Sequence, residues 1–167
     1  MNKSVPTPSS PQIRPIEAKD FAFIRSLAAE FSTFTVPSEY LLWFLTRFHP
    51  DYCRVIEQSN GNVTAYFLAI PTSEPRNGIA IWQAAATKPD HAFALEYFAV
   101  YLRSLVERSG VKDVFFTMPA DSASLRLIRS LAGHFAECEV VQLKSVPVGQ
   151  GEYEFRLSIH LNQSESG

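Results

Sequence analysis

Near the C-terminal end of the chain, Glu152, Glu154 and Arg156 alternate with Tyr153, Phe155 and Leu157. A strand turns successive side chains to opposite faces, so two carboxylates and a guanidinium share one face. Groups so placed can receive the ammonium and carboxylate of an amino acid, and the same pattern also suits the solvated outer face of a terminal strand. A second chemically suggestive stretch runs from Thr87 through Lys88, Pro89 and Asp90 to Ala94. Pro89 suits the first turn of a helix, whose unpaired N–H groups and dipole form an anion site. Lys88 and His91 add positive charge there, and Asp90 opposes it. Just upstream lies an apolar strand, Ile79 to Ala86, carrying Trp82, which on spacing alone is a core aromatic.

Other chemistries are argued against. His49, His91, His134 and His160 lack the close ligand pairs of a zinc site, so no metal is expected. Cys53 and Cys138 have no activating neighbour in sequence and read as packed, reduced thiols. The formal charge of −2 supplies no basic excess for nucleic acid. No run is long and apolar enough to span a bilayer, and the Pro- and Ser-rich start lacks the apolar stretch of a signal peptide, so a cytoplasmic protein is expected. With 167 residues, 46% hydrophobic and 13% aromatic, one domain buries a full core without staples.

The elements that must position these residues follow from periodicity. Residues 1–11 are expected to be a disordered tail, 12–161 a single domain, and 162–167 a second tail. A strand from Gln12 to Ile16 precedes a helix with Phe21, Ile24, Leu27, Ala28 and Phe31 at helical spacing. Ser38 caps a second helix whose expected apolar face is Leu41, Phe44, Leu45 and Phe48, core being its default role and an oligomer interface the alternative. Asn60-Gly61 joins strands Cys53 to Gln58 and Val63 to Ile70 in a hairpin. After the Ile79 to Ala86 strand, a long helix closes at Gly110. Val114 to Met118 is a short strand, and Asp121 or Ser122 caps a helix that Gly133 stops. Strands at about 136–143 and 153–161 finish the chain. The order β-α-α-β-β-β-α-β-α-β-β predicts an α/β fold, a mixed central sheet with helices on both faces.

That order, with four local stretches, resembles the GNAT superfamily of N-acyltransferases, and within it the diaminobutyrate acetyltransferases of ectoine synthesis. The stretches are Tyr40-Leu41-Leu42, Trp82-Gln83-Ala84-Ala85, Met118 through Ser124, and Arg129-Ser130-Leu131-Ala132. The resemblance implies the GNAT acyltransferase fold, acetyl-CoA as co-substrate, and transfer of its acetyl group to a small-molecule amine, with L-2,4-diaminobutyrate as the suggested acceptor. It also allows a homodimer.

Roles carried over by the resemblance fall on particular residues. Glu154, supported by Glu152, would orient or deprotonate the amine. Trp82 and Tyr40 would hold the acceptor, joined by Arg156 on the ground of its shared strand face rather than of the resemblance. Backbone amides of Ala84, Ala85 and Ala86 would polarise the thioester, and those of His91, Ala92, Phe93 and Ala94 would meet the cofactor diphosphate. The sequence departs from the family at that last site. An Arg-Gly-x-Gly pattern falls on His91-Ala92-Phe93-Ala94, adding Cβ atoms where close approach is needed. Thr33, Thr35 and Ser38 replace an Asp, an Asn and a Tyr, and the position of a common thiolate-protonating Tyr falls near Ile128. Two readings therefore stand: an N-acetyltransferase with an altered cofactor loop, and a non-catalytic GNAT-fold binding or interaction module.

Overall fold

The computed structural model describes residues 11–87, 91–119, 121–145 and 152–160. Residues 1–10 and 161–167 lie outside the described residues, and with them the expected tails 1–11 and 162–167 except Pro11, as do Lys88, Pro89 and Asp90. Seven strands and four helices follow one another: β1 (Gln12–Pro15), α1 (Phe21–Ala29), α2 (Glu39–Phe48), β2 (Arg54–Glu57), β3 (Val63–Pro71), β4 (Gly78–Ala86), α3 (His91–Ser109), β5 (Asp113–Pro119), α4 (Ser122–Ala132), β6 (Glu137–Ser145) and β7 (Glu152–His160). A single 3-10 turn, Ala18–Asp20, leads into α1.

Local chemistry explains the boundaries. The Ser38 hydroxyl accepts from the Leu41 amide at 3.1 Å, satisfying a donor that the first turn of α2 would leave open. Gly61 sits at φ 83° in the β2–β3 hairpin and Gly110 at φ 63° past the end of α3, where a Cβ is disfavoured. Before α1, the carboxylate of Asp20 takes both Arg14 Nη atoms, at 2.7 and 2.9 Å, and the Glu17 amide at 2.8 Å. Arg14 also donates to Glu57, which clasps β1 and β2 together.

The strands form one sheet in the order β1-β2-β3-β4-β5-β7-β6. All neighbours are antiparallel except β4 and β5. α1 and α2 cover one face, burying Ile24, Leu27, Leu42 and Leu45 against Val55, Tyr66 and Leu68. α3 and α4 cover the other, where Tyr101, Leu102, Leu105 and Leu131 meet Phe67, Ile79, Val114 and Leu157. Leu102 and Leu105 are fully buried, and each contributes about 2 kcal/mol by leaving water.

One sequence expectation is corrected in α2. Leu42 and Leu45 are its buried residues, whereas Phe44 and Phe48 are 39% and 56% exposed. Both residue sets satisfy helical spacing, and the leucines are the ones turned onto β3 and α1.

Candidate functional site

The site originates in a disagreement between β4 and its two neighbours. Against β3, β4 pairs from Ile79 to Ala86, but the register jumps between Leu68 and Ala69, leaving Trp82 as an extra residue. An extra residue bends a strand and sharpens its twist. Against β5, β4 pairs only at Gly78, Ile79 and Ala80. β5 continues alongside β7 as far as Pro119 opposite Glu152. The two central strands therefore part after Ala80, and a cleft opens between them.

Thr87 donates its N–H to Thr64 O of β3 at 2.8 Å. Antiparallel ladders turn successive residues alternately to one neighbour and the other. By that alternation Ala85 also bonds towards β3, while Ala84 and Ala86 turn N–H and C=O groups to the side that β5 has left. Among the described residues no strand pairs with that side of β4 beyond Ala80, and peptide groups so placed beside a cavity suit an extended, amide-bearing ligand.

The cavity has a volume of about 600 Å³, within the range of small-molecule sites. Ile81, Trp82, Gln83 and Ala84 to Ala86 line one wall; Phe116, Thr117, Met118 and Glu152 line the other. Leu95, Tyr97 and Phe98 of α3, with Leu127, Ile128 and Leu131 of α4, close it on one face. Thr33, Phe34 and Thr35, from the loop between α1 and α2, also line it. Its floor includes Phe67, stacked 5.8 Å from Phe98 and 4.2 Å from Tyr101 between ring centroids. Glu152 is the carboxylate among the described lining residues.

The residues singled out in the sequence separate in space. Trp82, Ala84, Ala85, Ala86 and Glu152 line the cleft. Glu154 lines an adjoining cavity of about 240 Å³, with Glu74 and Thr72, that shares Ile81, Phe116 and Thr117 with the first. Tyr40 is 72% exposed on the outward side of α2 and is not a lining residue of either cavity. Arg156 lies further along β7, with Nε 4.0 Å from Asp113. Neither Tyr40 nor Arg156 joins the acceptor group expected of them. His91, Ala92, Phe93 and Ala94 form the first turn of α3 as helical backbone, and their side chains lie outside the described residues.

Two polar groups at the site were not anticipated. Gln83, 6% exposed, donates from Nε2 to Thr35 O at 2.7 Å and accepts at Oε1 from the Tyr66 hydroxyl at 3.2 Å. Burial raises the Tyr66 pKa, so its hydroxyl stays protonated and able to donate. Tyr97, on the α3 wall, meets the Gln58 side-chain amide and the Thr64 hydroxyl, the latter at 3.3 Å. A glutamine inside an otherwise apolar strand was the available signal, because buried amides find partners. Among the described residues no metal-holding group of acids, histidines and cysteines occurs, and no helix is long and apolar enough to cross a membrane.

The mixed seven-stranded sheet with its four helices matches solved structures of GNAT acetyltransferases, and the chain has that fold. Diaminobutyrate acetyltransferase EctA from Paenibacillus lautus, solved with L-2,4-diaminobutyric acid and coenzyme A, superposes with a TM-score of 0.70 at 19% identity, over 92% of this chain and 97% of that one. Ard1 from Thermoplasma volcanium gives 0.68 at 16% identity, over 91% and 100%. A spermidine N-acetyltransferase SpeG chimera from Vibrio cholerae and hSSAT gives 0.66 at 14% identity, over 90% and 96%. No family model matches the sequence, and no curated protein matches it.

Proposed function

We propose that the protein is an N-acetyltransferase that moves an acetyl group from acetyl-CoA to a small-molecule amine. The observation that carries this reading is the free edge of β4 at Ala84 and Ala86, facing a cleft of about 600 Å³ with Glu152 on the opposite wall. The chemistry of that edge fits acetyl-CoA: the pantetheine arm carries amides that pair with strand-like N–H and C=O groups, and the apolar walls suit its methylenes. Acetyl-CoA supplies the acyl group as an activated thioester.

The chain's own residues then have distinct tasks. Glu152 takes a proton from the bound ammonium, directly or through one water, leaving a neutral nitrogen lone pair. As the C–N bond forms and the C–S bond breaks, the N–H groups of the β4 edge meet the charge building on the carbonyl oxygen. Ile128 stands on the α4 wall and gives no proton. The acylated nitrogen sheds its second proton to water as the amide forms, and the leaving thiolate, whose thiol has an ordinary pKa of about 8.5, departs without an acid and takes a proton from the same water. Trp82 and the Thr33–Thr35 segment border the acceptor's side of the cleft. The likeness to the diaminobutyrate enzyme supports L-2,4-diaminobutyrate as the first acceptor to test. The free thiols of Cys53 and Cys138 fit a reducing compartment, and we place the reaction in the cytoplasm.

Titration calorimetry with acetyl-CoA, followed by release of free thiol with 2,4-diaminobutyrate and with spermidine, tests the reading. Binding followed by amine-dependent thiol release is expected. No binding of acetyl-CoA would overturn it in favour of a non-catalytic module, the reading that the Ala92 and Ala94 substitutions in the cofactor loop favour.

A further inference from the structure

α2 is amphipathic in an unusual sense, because both of its faces are apolar. Leu42 and Leu45 satisfy the core. On the opposite side Tyr40, Trp43, Phe44 and Phe48 are 72%, 49%, 39% and 56% exposed. Surface positions of a helix are ordinarily polar. These four rings form one patch: centroids lie 5.8 Å apart for Tyr40 and Trp43, 6.2 Å for Trp43 and Phe48, and 4.9 Å for Phe44 and Phe48. With side chains of this size the exposed aromatic surface is about 400 Å² on one chain, as large as the largest apolar patch of a typical monomer, which is often functional.

We propose that this face joins two copies of the chain, with their α2 helices antiparallel about a two-fold axis near Trp43. The sequence of the helix argues for a second copy over a different partner. Glu39, Trp43 and Arg47 stand four residues apart and so form one ridge along α2. Read in the opposite direction, the ridge becomes base, aromatic, acid. An antiparallel copy therefore sets Glu39 against Arg47 at both ends and tryptophan against tryptophan at the centre. A parallel copy would set like charges together. Tyr40, Phe44 and Phe48 form the neighbouring ridge, also at four-residue spacing, and supply the apolar flank. Glu39 Oε1 is 3.4 Å from Arg25 within the chain, an exposed contact compatible with a second cation across the axis. Two such patches bury about half of a standard interface of roughly 1,600 Å², leaving the remainder to Val36, Thr46 and the stems of Arg47 and Glu39. Closed two-fold pairs are the commonest assembly of soluble chains.

Sedimentation velocity on the full chain across a concentration series tests the proposal, with circular dichroism to verify folding. The wild type is expected to be a dimer and Trp43→Glu a folded monomer. Arg47→Glu alone should weaken association about tenfold or more, and Glu39→Arg with Arg47→Glu should restore it. A wild type that remains monomeric at about 100 μM, where micromolar association saturates, overturns the proposal. So does a dimer that Trp43→Glu leaves intact, or a double variant no tighter than Arg47→Glu.

Discussion

The side-chain amide of Gln83 donates a 2.7 Å hydrogen bond to the carbonyl oxygen of Thr35, tying the strand beside the cleft to the loop that lines it. Gln83→Leu strands both that carbonyl and the Tyr66 hydroxyl, and unsatisfied buried groups are costly. The expected loss is about 2–3 kcal/mol in urea unfolding. Faster hydrogen exchange confined to residues 31–38 distinguishes release of the loop from general loosening. If the transferase reading holds, KM for the amine rises while the affinity for acetyl-CoA is kept.

Glu152→Gln removes the carboxylate facing the cleft and keeps its shape. Loss of a general base lowers kcat/KM for the amine by about 10²–10⁴-fold. Calorimetric affinity for acetyl-CoA should be unchanged. Glu154→Gln, in the adjoining smaller cavity, should lose less. The reverse ranking would move the base to Glu154.

The alternation along β4 makes a prediction that separates catalysis from stability. Ala84 turns its N–H to the cleft, and proline is tolerated at an unpaired strand edge. Ala84→Pro should therefore fold and lose about 10²–10³-fold in kcat, the range for one oxyanion donor. Ala85→Pro removes a ladder bond to β3 and leaves a buried carbonyl unsatisfied, and should cost about 1–3 kcal/mol in stability. Urea unfolding and initial rates of both variants check the contrast.

How much of this was legible in the sequence depended on how local the cause was. Asn60-Gly61, the Ser38 cap and Gly110 act within a few residues, and the element order they punctuate is the observed one. The parting of β4 from β5 was not legible, because it follows from a bulge at Trp82 and from where two distant strands stop pairing. For the same reason Glu154 was put first and Glu152 only in its support. Alternation puts both on one face, and only the ladder ending at Pro119 opposite Glu152 brings Glu152 to the larger cavity. In α2, leucine and phenylalanine rows both had helical spacing, and hydrophobicity alone could not choose between them.

Acid stability should report on the Arg14–Asp20 pair. Burial opposes ionisation of Asp20, but the Arg14 hydrogen bonds, the Glu17 amide and the Arg14 charge outweigh it, so its pKa is lowered. A lowered carboxyl pKa gives stability that is complete above the unfolded value of 3.8 and is lost as pH falls through the folded one. Urea midpoints should drop below about pH 4 for the wild type. Asp20→Asn should abolish that part of the slope and cost about 1.5–3 kcal/mol at neutral pH, because Arg14 keeps Glu57 but loses its bidentate carboxylate partner.

Thiol chemistry supplies the last prediction and bears on the assay itself. Burial pushes the Cys53 thiol up to about 11, and Cys53 also donates to Ala69 O at 3.4 Å. Burial likewise raises Cys138 to about 11. At pH 8 each is then only about one part in a thousand thiolate, the reactive form. The native protein should react slowly with an aromatic disulfide reagent, and both thiols should appear at once on adding denaturant. A fast-reacting native thiol would place Cys138, the less buried of the two, in an environment that its strand position does not provide. Slow reaction leaves the reagent free to count the thiol released by acetyl transfer.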